Sequence, residues 1–299
     1  MSPVDRRTFL NSSLVAGAAA CATSLSQGVA RAADEDTSGL GRTPHTKFAV
    51  NCEMWWTKLP FLDRVKAAIA FGYPAIEFWP WQGKDLAALE KLSKDNGLAI
   101  AQFTAWGFSP GMNDPKNHQA FVKAVEEGCK VAKQLDCKKM CVVGGNDQRG
   151  MTQKEMHENI ITALKLAAPV AEKHEVMLIL EPMNIRVDHK GHCLYGSTDA
   201  VRICREVKSP MVKINWDLYH MHISEGDLCG HLKEGFDQVG YLQLADHPGR
   251  TEPGTGEIHY NRVLKEAHDL GYHDFVGLEC RPKGSEVAAA KGVAAADVW

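Results

Sequence analysis

The chain has 299 residues, 44% of them hydrophobic and 24% charged, with a formal net charge of -3 at pH 7. That length suits one large domain of ordinary globular composition. The small charge, with no block of like sign, argues against nucleic-acid binding or an electrostatic membrane patch.

The N-terminus reads as a targeting segment. Asp5-Arg6-Arg7-Thr8-Phe9-Leu10 is a twin-arginine signature, a small-residue, weakly apolar stretch follows, and Ala30-Arg31-Ala32 offers a small-x-small cleavage site. These features predict a signal peptide over 1–33, export through the twin-arginine pathway and a periplasmic location; lipidation of Cys21 is a minor option. Residues 34–46 read as a polar linker and 47–299 as the folded domain. No other stretch reaches the roughly 18 apolar residues of a membrane span, so stable membrane insertion is not expected. Of nine cysteines, one lies in the signal; the other eight form no CxxC and no regular framework, and read as small core residues.

Beyond the linker one pattern repeats: a short β-branched or aromatic run, a polar loop, an amphipathic helix. Strands are predicted at 48–52, 75–79, 100–104, 139–143, 176–180, 212–216, 239–244 and 275–278. Helices are predicted at 61–71 after Pro60, 84–96 before Gly97, 118–135, 152–174, 198–207 before Pro210, 227–236, and 260–270 before Gly271. The Ala-rich tail from Gly284 reads as a last helix or a frayed end. Eight strands alternating with helices have the size and rhythm of an α/β (β/α)8 TIM barrel, a single domain after the signal segment. An open doubly wound sheet would usually bring a Gly-rich loop after its first strand, whereas Glu53-Met54-Trp55-Trp56 stands there.

In a barrel the C-terminal strand ends converge on one mouth. Strand five ends in Glu181, strand six in Asp217, strand seven carries Gln243 and strand eight ends in Glu279. Each acid ends or interrupts an apolar run, where an unpartnered carboxylate is costly. Three carboxylates and an amide are hard oxygen donors, suited to Mg2+ or Mn2+, with Co2+ a further option. The competing reading neutralises each acid separately with a rim Arg or Lys. The loop after strand seven, Asp246 to Glu257, is dense in Pro, Gly and charge.

These residues carry a resemblance. LILEPMN, WDLYHM, QLADHPGRTEPGTGEIHY and VGLECRP resemble hydroxypyruvate isomerases of the xylose-isomerase-like barrel superfamily. The resemblance spans roughly the mature chain and is sharp in its second half. It implies that Glu181, Asp217, Gln243 and Glu279 bind the metal, that Glu181 and Glu279 are the catalytic acid/base pair, and that His220 and Arg250 contact the substrate. Other histidines, such as His157, His174 and His268, fall in helical patterns and are expected at the surface.

One feature departs from that picture. Trp55, Trp56, Trp79, Trp81 and Trp106 crowd the first three strand ends, an aromatic mouth for a three-carbon substrate. Trp55 and Trp106 are therefore expected to stack on a sugar ring. The expected activity is a metal-dependent isomerase acting on hydroxypyruvate or a similar small hydroxy-carbonyl compound. The alternatives are a sugar epimerase or a lyase on a keto-sugar or glycoside, and an exported sugar-binding protein with a degenerate site. Expected partners are a small hydroxy-keto acid or sugar and further copies of the chain in a homo-oligomer.

Overall fold

Eight parallel strands close into a barrel in sequence order, β1 (Lys47–Asn51), β2 (Ala75–Phe78), β3 (Ala99–Trp106), β4 (Lys139–Val143), β5 (Met177–Glu181), β6 (Val212–Asp217), β7 (Val239–Leu244) and β8 (Phe275–Leu278), the last pairing with the first. They belong to a computed structural model that describes residues 36–299. The predicted signal segment lies outside the described residues.

The helices are α1 (Phe61–Phe71), α2 (Leu86–Asn96), α3 (His118–Gln134), α4 (Gln153–His174), α5 (Ser197–Val207), α6 (Leu218–Ser224), α7 (Leu228–Gly235), α8 (Tyr260–Asp269) and α9 (Glu286–Ala295). Local chemistry sets their ends. Thr152 and Glu155 form a capping box on α4, Asp85 caps α2, and left-handed Gly72 and Gly97 close α1 and α2. The tail is a helix capped by Ser285. The sequence reading missed α6, a helix of 7 residues whose cap is Asp217, the last residue of β6.

Alternation along a strand sends every second side chain into the barrel. The lower interior is apolar, with Ala49, Ala75, Ile179 and Tyr241 packed together. Above it the interior turns polar, with Asn51, Glu77, Gln102, Asn215 and Gln243 all buried. Outward-facing residues such as Phe48, Ile76, Phe103, Leu178 and Trp216 join the main core beneath the helices.

Within the segment read as a linker, Gly41, His45 and Thr46 are docked. The Gly41 N–H donates to Phe71 O at 2.7 Å. Buried Asp297 accepts from the His45 N–H at 2.8 Å, the Thr46 N–H at 2.9 Å and the Thr46 hydroxyl, while His45 stacks on Trp299 at 4.4 Å. His157 corrects the surface expectation: it is buried, with Nε2 2.9 Å from Cys193 O, because its face of α4 packs on the barrel. The eight described cysteines are all free and seven are buried.

Candidate active site

β5, β6 and β8 each deliver a carboxylate at or just past their C-terminal ends. One ligand atom each from Glu181, Asp217, His220 and Glu279 lies within 4.8 Å of all the others. All four residues are buried, Asp217 and His220 completely. Glu181, His220 and Glu279 border a cavity of about 340 Å³, whose wall also includes Trp79, Gln102, Phe108, Met183, His189, Gln243 and Arg250, while Asp217 lies behind them with its Oδ2 3.5 Å from His220 Nε2.

Each carboxylate is held differently. Asp217 caps α6, its Oδ1 accepting from the Tyr219 N–H at 2.8 Å, while its Oδ2 is buried without a hydrogen-bond partner. Glu279 accepts from Trp79 Nε1 at 2.8 Å and from an Arg250 guanidinium N–H at 2.6 Å. Glu181 Oε2 accepts from the Cys141 thiol at 3.2 Å. Burial, followed by the neighbouring carboxylates, pushes the pKa values of Glu181 and Asp217 well above the ordinary range. Three carboxylates set this close, with no hydrogen bond to the Asp217 Oδ2, offer the hard oxygen donors that suit a divalent cation.

Beneath it lies a further buried carboxylate, Glu77. Glu77 Oε1 accepts from Asn51 Nδ2 at 2.9 Å and Gln243 Nε2 at 2.8 Å; Oε2 accepts from the Tyr241 hydroxyl at 2.8 Å and Gln102 Nε2 at 3.2 Å. Burial and then the nearby Glu279 raise its pKa to about 7. Space for it comes from Gly277, where a Cβ would stand 2.3 Å from the Glu77 Oε2. The Gln243 amide is thus held at both ends, its Oε1 receiving Asn215 Nδ2 at 2.5 Å.

Both ring nitrogens of His220 are held. The Asn184 Oδ1 accepts from the backbone N–H groups of Val187 and Asp188, so its Nδ2 faces His220 Nδ1 at 2.7 Å. The Nε2 stands 3.4 Å from an Arg250 guanidinium nitrogen and 3.5 Å from Asp217 Oδ2. Burial, with the Arg250 charge beside it, depresses the His220 pKa well below the usual value and keeps the ring neutral.

Arg250 stands in the long loop between β7 and α8, in a left-handed conformation with φ 53°. A single side chain organises that loop. Buried Asp246 accepts five backbone N–H groups: His247 and Ile258 on Oδ1, and Gly254, Thr255 and Gly256 on Oδ2, at 2.9 to 3.1 Å. Gly256 must lack a side chain, since a Cβ would come within 2.2 Å of His247 O. The Arg250 carbonyl accepts from the Arg281 N–H at 2.9 Å, tying the loop to the segment after β8. The acids of the loop do not pair with Arg250: Glu252 accepts from the Lys283 N–H and Glu257 pairs with His222.

The structure therefore gathers Glu181, Glu279, Gln243, His220 and Arg250 around one cavity, with Asp217 clustered beside Glu181, His220 and Glu279. Trp55 and Trp106 are a correction. Trp55 is fully buried against Trp56 and Tyr73, and Trp106 packs on Phe121 of α3, so both point into the shell between barrel and helices. The aromatic side chains on the cavity are Trp79 and Phe108. The sequence reading did not assign Glu77, Gln102 or Asn184. For Glu77 the signal was present, an acid inside the apolar run Ala75-Ile76-Glu77-Phe78, as in the run ending at Glu181.

Comparison with known proteins places the chain in a family. Residues 65–296 match the model of the xylose isomerase-like TIM barrel family. Hydroxypyruvate isomerase of Escherichia coli (strain K12) is 29% identical over 243 residues, covering 79% of this chain and 94% of that protein. 2-Oxo-tetronate isomerase of Cupriavidus necator is 30% identical over 249 residues, covering 81% and 95%. Among solved structures, an AP endonuclease, family 2, from Brucella melitensis superposes with a TM-score of 0.77 at 26% identity, covering 82% of this chain and 96% of that one. The chain belongs to the xylose isomerase-like TIM barrel family, and its curated relatives are isomerases.

Proposed function

We propose that the chain is a divalent-metal-dependent isomerase that interconverts the keto and aldehyde forms of a small hydroxy-carbonyl compound, of the hydroxypyruvate and tartronate semialdehyde type, through an enediolate. The observation that supports this reading is the cluster of Glu181, Asp217 and Glu279, two of them on the cavity wall, with no hydrogen bond made to the Asp217 Oδ2. These three carboxylates and the Gln243 Oε1 would hold Mg2+ or Mn2+. When bound, the cation supplies Lewis acidity to the substrate carbonyl and the adjacent hydroxyl oxygen.

The chain's own residues move the protons. One of Glu181 and Glu279 takes the proton from the hydroxyl-bearing carbon, and the other delivers a proton to the former carbonyl carbon. Trp79 Nε1 and Arg250 fix the Glu279 carboxylate from two sides. His220, on the cavity wall, contacts a substrate oxygen through its ring. Arg250 balances part of the carboxylate charge and offers its remaining donors to the substrate.

Deuterium exchange tests the chemistry. With Mn2+ at saturation, the parent should exchange the substrate's α proton with deuterated water. Of Glu181→Gln and Glu279→Gln, one should still exchange without isomerising and the other should do neither. Isomerisation at the parent rate by both metal-loaded variants would refute the two-glutamate mechanism. Asp217→Ala should fold yet lose bound Mn2+ in elemental analysis.

A second reading keeps the site and enlarges the substrate to a keto-sugar. It is favoured by the apolar wall of Trp79, Phe108 and Met183. The Arg6-Arg7 pair and the Ala30-Arg31-Ala32 site support export to the periplasm. Replacing both arginines by lysine should leave the precursor in the cytoplasm.

A further inference from the structure

His189, on the loop between β5 and α5, has an imidazole that the proposed chemistry does not use. The residue lines the cavity and is half-buried. Its ring nitrogens make no hydrogen bond to any described residue, and unlike the sealed Oδ2 of Asp217 both keep accessible surface. The ring is nevertheless held in place. It stacks on Phe108, centroids 4.9 Å apart and planes 20° from parallel, and meets the His220 ring at 5.2 Å and 66°. Its backbone N–H donates to Asn184 O at 3.1 Å. The adjoining Asp188 carboxylate accepts from Asn184 Nδ2 at 2.8 Å and from the Tyr219 hydroxyl at 2.9 Å, which fixes the turn that carries the ring.

The two neighbouring imidazoles are therefore not equivalent. His220 has Asn184 at Nδ1 and both Arg250 and Asp217 at Nε2. His189 has a fixed position and both nitrogens to spare, so a ligand gains a hydrogen bond there without ordering the side chain. With neither nitrogen committed, the ring proton can stand on whichever one faces the ligand. The metal of the proposed mechanism takes the substrate carbonyl and the adjacent hydroxyl. A small hydroxy-keto acid brings one further polar group, its carboxylate. Arg250 and His189 both border His220, and a guanidinium with an N–H donor beside it suits an anion.

We propose that His189 is a substrate-binding residue that donates its ring N–H to the substrate carboxylate, with Phe108 as the positioning residue stacked against it. The proposal rests on the isomerase reading and names the residue by which that site prefers an acid to a neutral ketone. Its loss removes binding common to the ground state and the transition state, so KM should rise while kcat stays near the parent value.

The test uses the full chain loaded with Mn2+ and two ligands: hydroxypyruvate, and dihydroxyacetone, which has a hydroxymethyl group in place of the carboxylate. Dissociation constants come from calorimetric titration, and turnover of hydroxypyruvate is followed alongside. The parent should bind hydroxypyruvate more tightly. His189→Phe keeps a ring against Phe108 and has no donor. It should weaken hydroxypyruvate binding by about 10- to 100-fold, change dihydroxyacetone by less than about threefold, and leave Mn2+ stoichiometry unchanged. His189→Gln, which retains an N–H donor, should recover part of the loss for hydroxypyruvate. Equal weakening of both ligands by His189→Phe would make the ring a structural part of the loop and overturn the proposal, as would unchanged hydroxypyruvate binding. A parent that binds the two ligands equally overturns it as well, a measurement that needs no variant to fold. The isomerase reading fails separately: a parent that binds Mn2+ and hydroxypyruvate but exchanges none of its α protons with deuterated water overturns that reading and this proposal with it.

Discussion

Trp55 and Trp79 follow neighbouring strands and have opposite surroundings. Trp55 is sealed against Trp56 and Tyr73, so Trp55→Ala should cost about 3–5 kcal/mol of stability in denaturant unfolding. Trp79 lines the cavity and donates to Glu279, so Trp79→Ala should leave stability nearly intact. Loss of a hydrogen bond to a charged group should lower its kcat/KM by about 10- to 100-fold. The reverse pattern in unfolding and kinetics would return Trp55 to the cavity. Glu77 makes a prediction about pH. Its folded pKa of about 7 lies above the ordinary 4.5, so the folded state keeps a proton that the unfolded chain has lost. The stability tied to that proton is present below pH 4.5 and disappears as pH rises to about 7, a change of about 3 kcal/mol. In the metal-free protein, Glu77→Gln should therefore gain stability relative to its parent across that window. Parallel thermal midpoints for the two proteins from pH 4.5 to 7 would show that Glu77 does not titrate there.

The loop between β7 and α8 is a fixed platform for Arg250, and its shape depends on Asp246. Five backbone N–H groups on one carboxylate hold the segment that a strand or helix ladder would otherwise satisfy. Asp246→Ala should release that segment while leaving the barrel folded. The amides of Gly254, Thr255, Gly256 and Ile258 should then lose protection in hydrogen exchange. Displacing Arg250 by even 1 Å should lower kcat/KM on the order of 100-fold. Retained protection in the variant would mean that another contact sets the loop. The sequence PGRTEPGTGE was legible as a specific loop, and the structure supplies its reasons: a left-handed Arg250, a Gly256 pressed against His247 O, and Glu252 accepting from the Lys283 N–H. Helix α6 was not legible. Its 7 residues are too few for periodicity to announce, and its cap is also the end of a strand.

At the scale of the molecule, the ends of the described chain meet at Asp297. Asp297→Ala would orphan the His45 and Thr46 N–H groups and the Thr46 hydroxyl. A loss of about 3 kcal/mol is expected in denaturant unfolding, with cavity chemistry unchanged because β1 enters the barrel from the opposite end. An equal loss of activity in the folded variant would refute that separation. The strands, most helices and the barrel itself were determined by the sequence, because periodicity, capping residues and glycine stops act over a few neighbours. The strand-end acids Glu181, Asp217 and Glu279 were determined in the same way, since each stands out within its own apolar run. What surrounds them was decided only by tertiary structure. Gln102 reaches Glu77 through a register shift between β2 and β3, which breaks the alternation that places a side chain from sequence. Asn184, which meets His220, and the Gly277 that makes room for Glu77 act through partners distant in the chain or through the room a missing side chain leaves. Trp55 and Trp106 were misplaced for the same reason. An aromatic residue just past a strand can turn to the mouth or to the helices, and only the closed barrel shows which side has space.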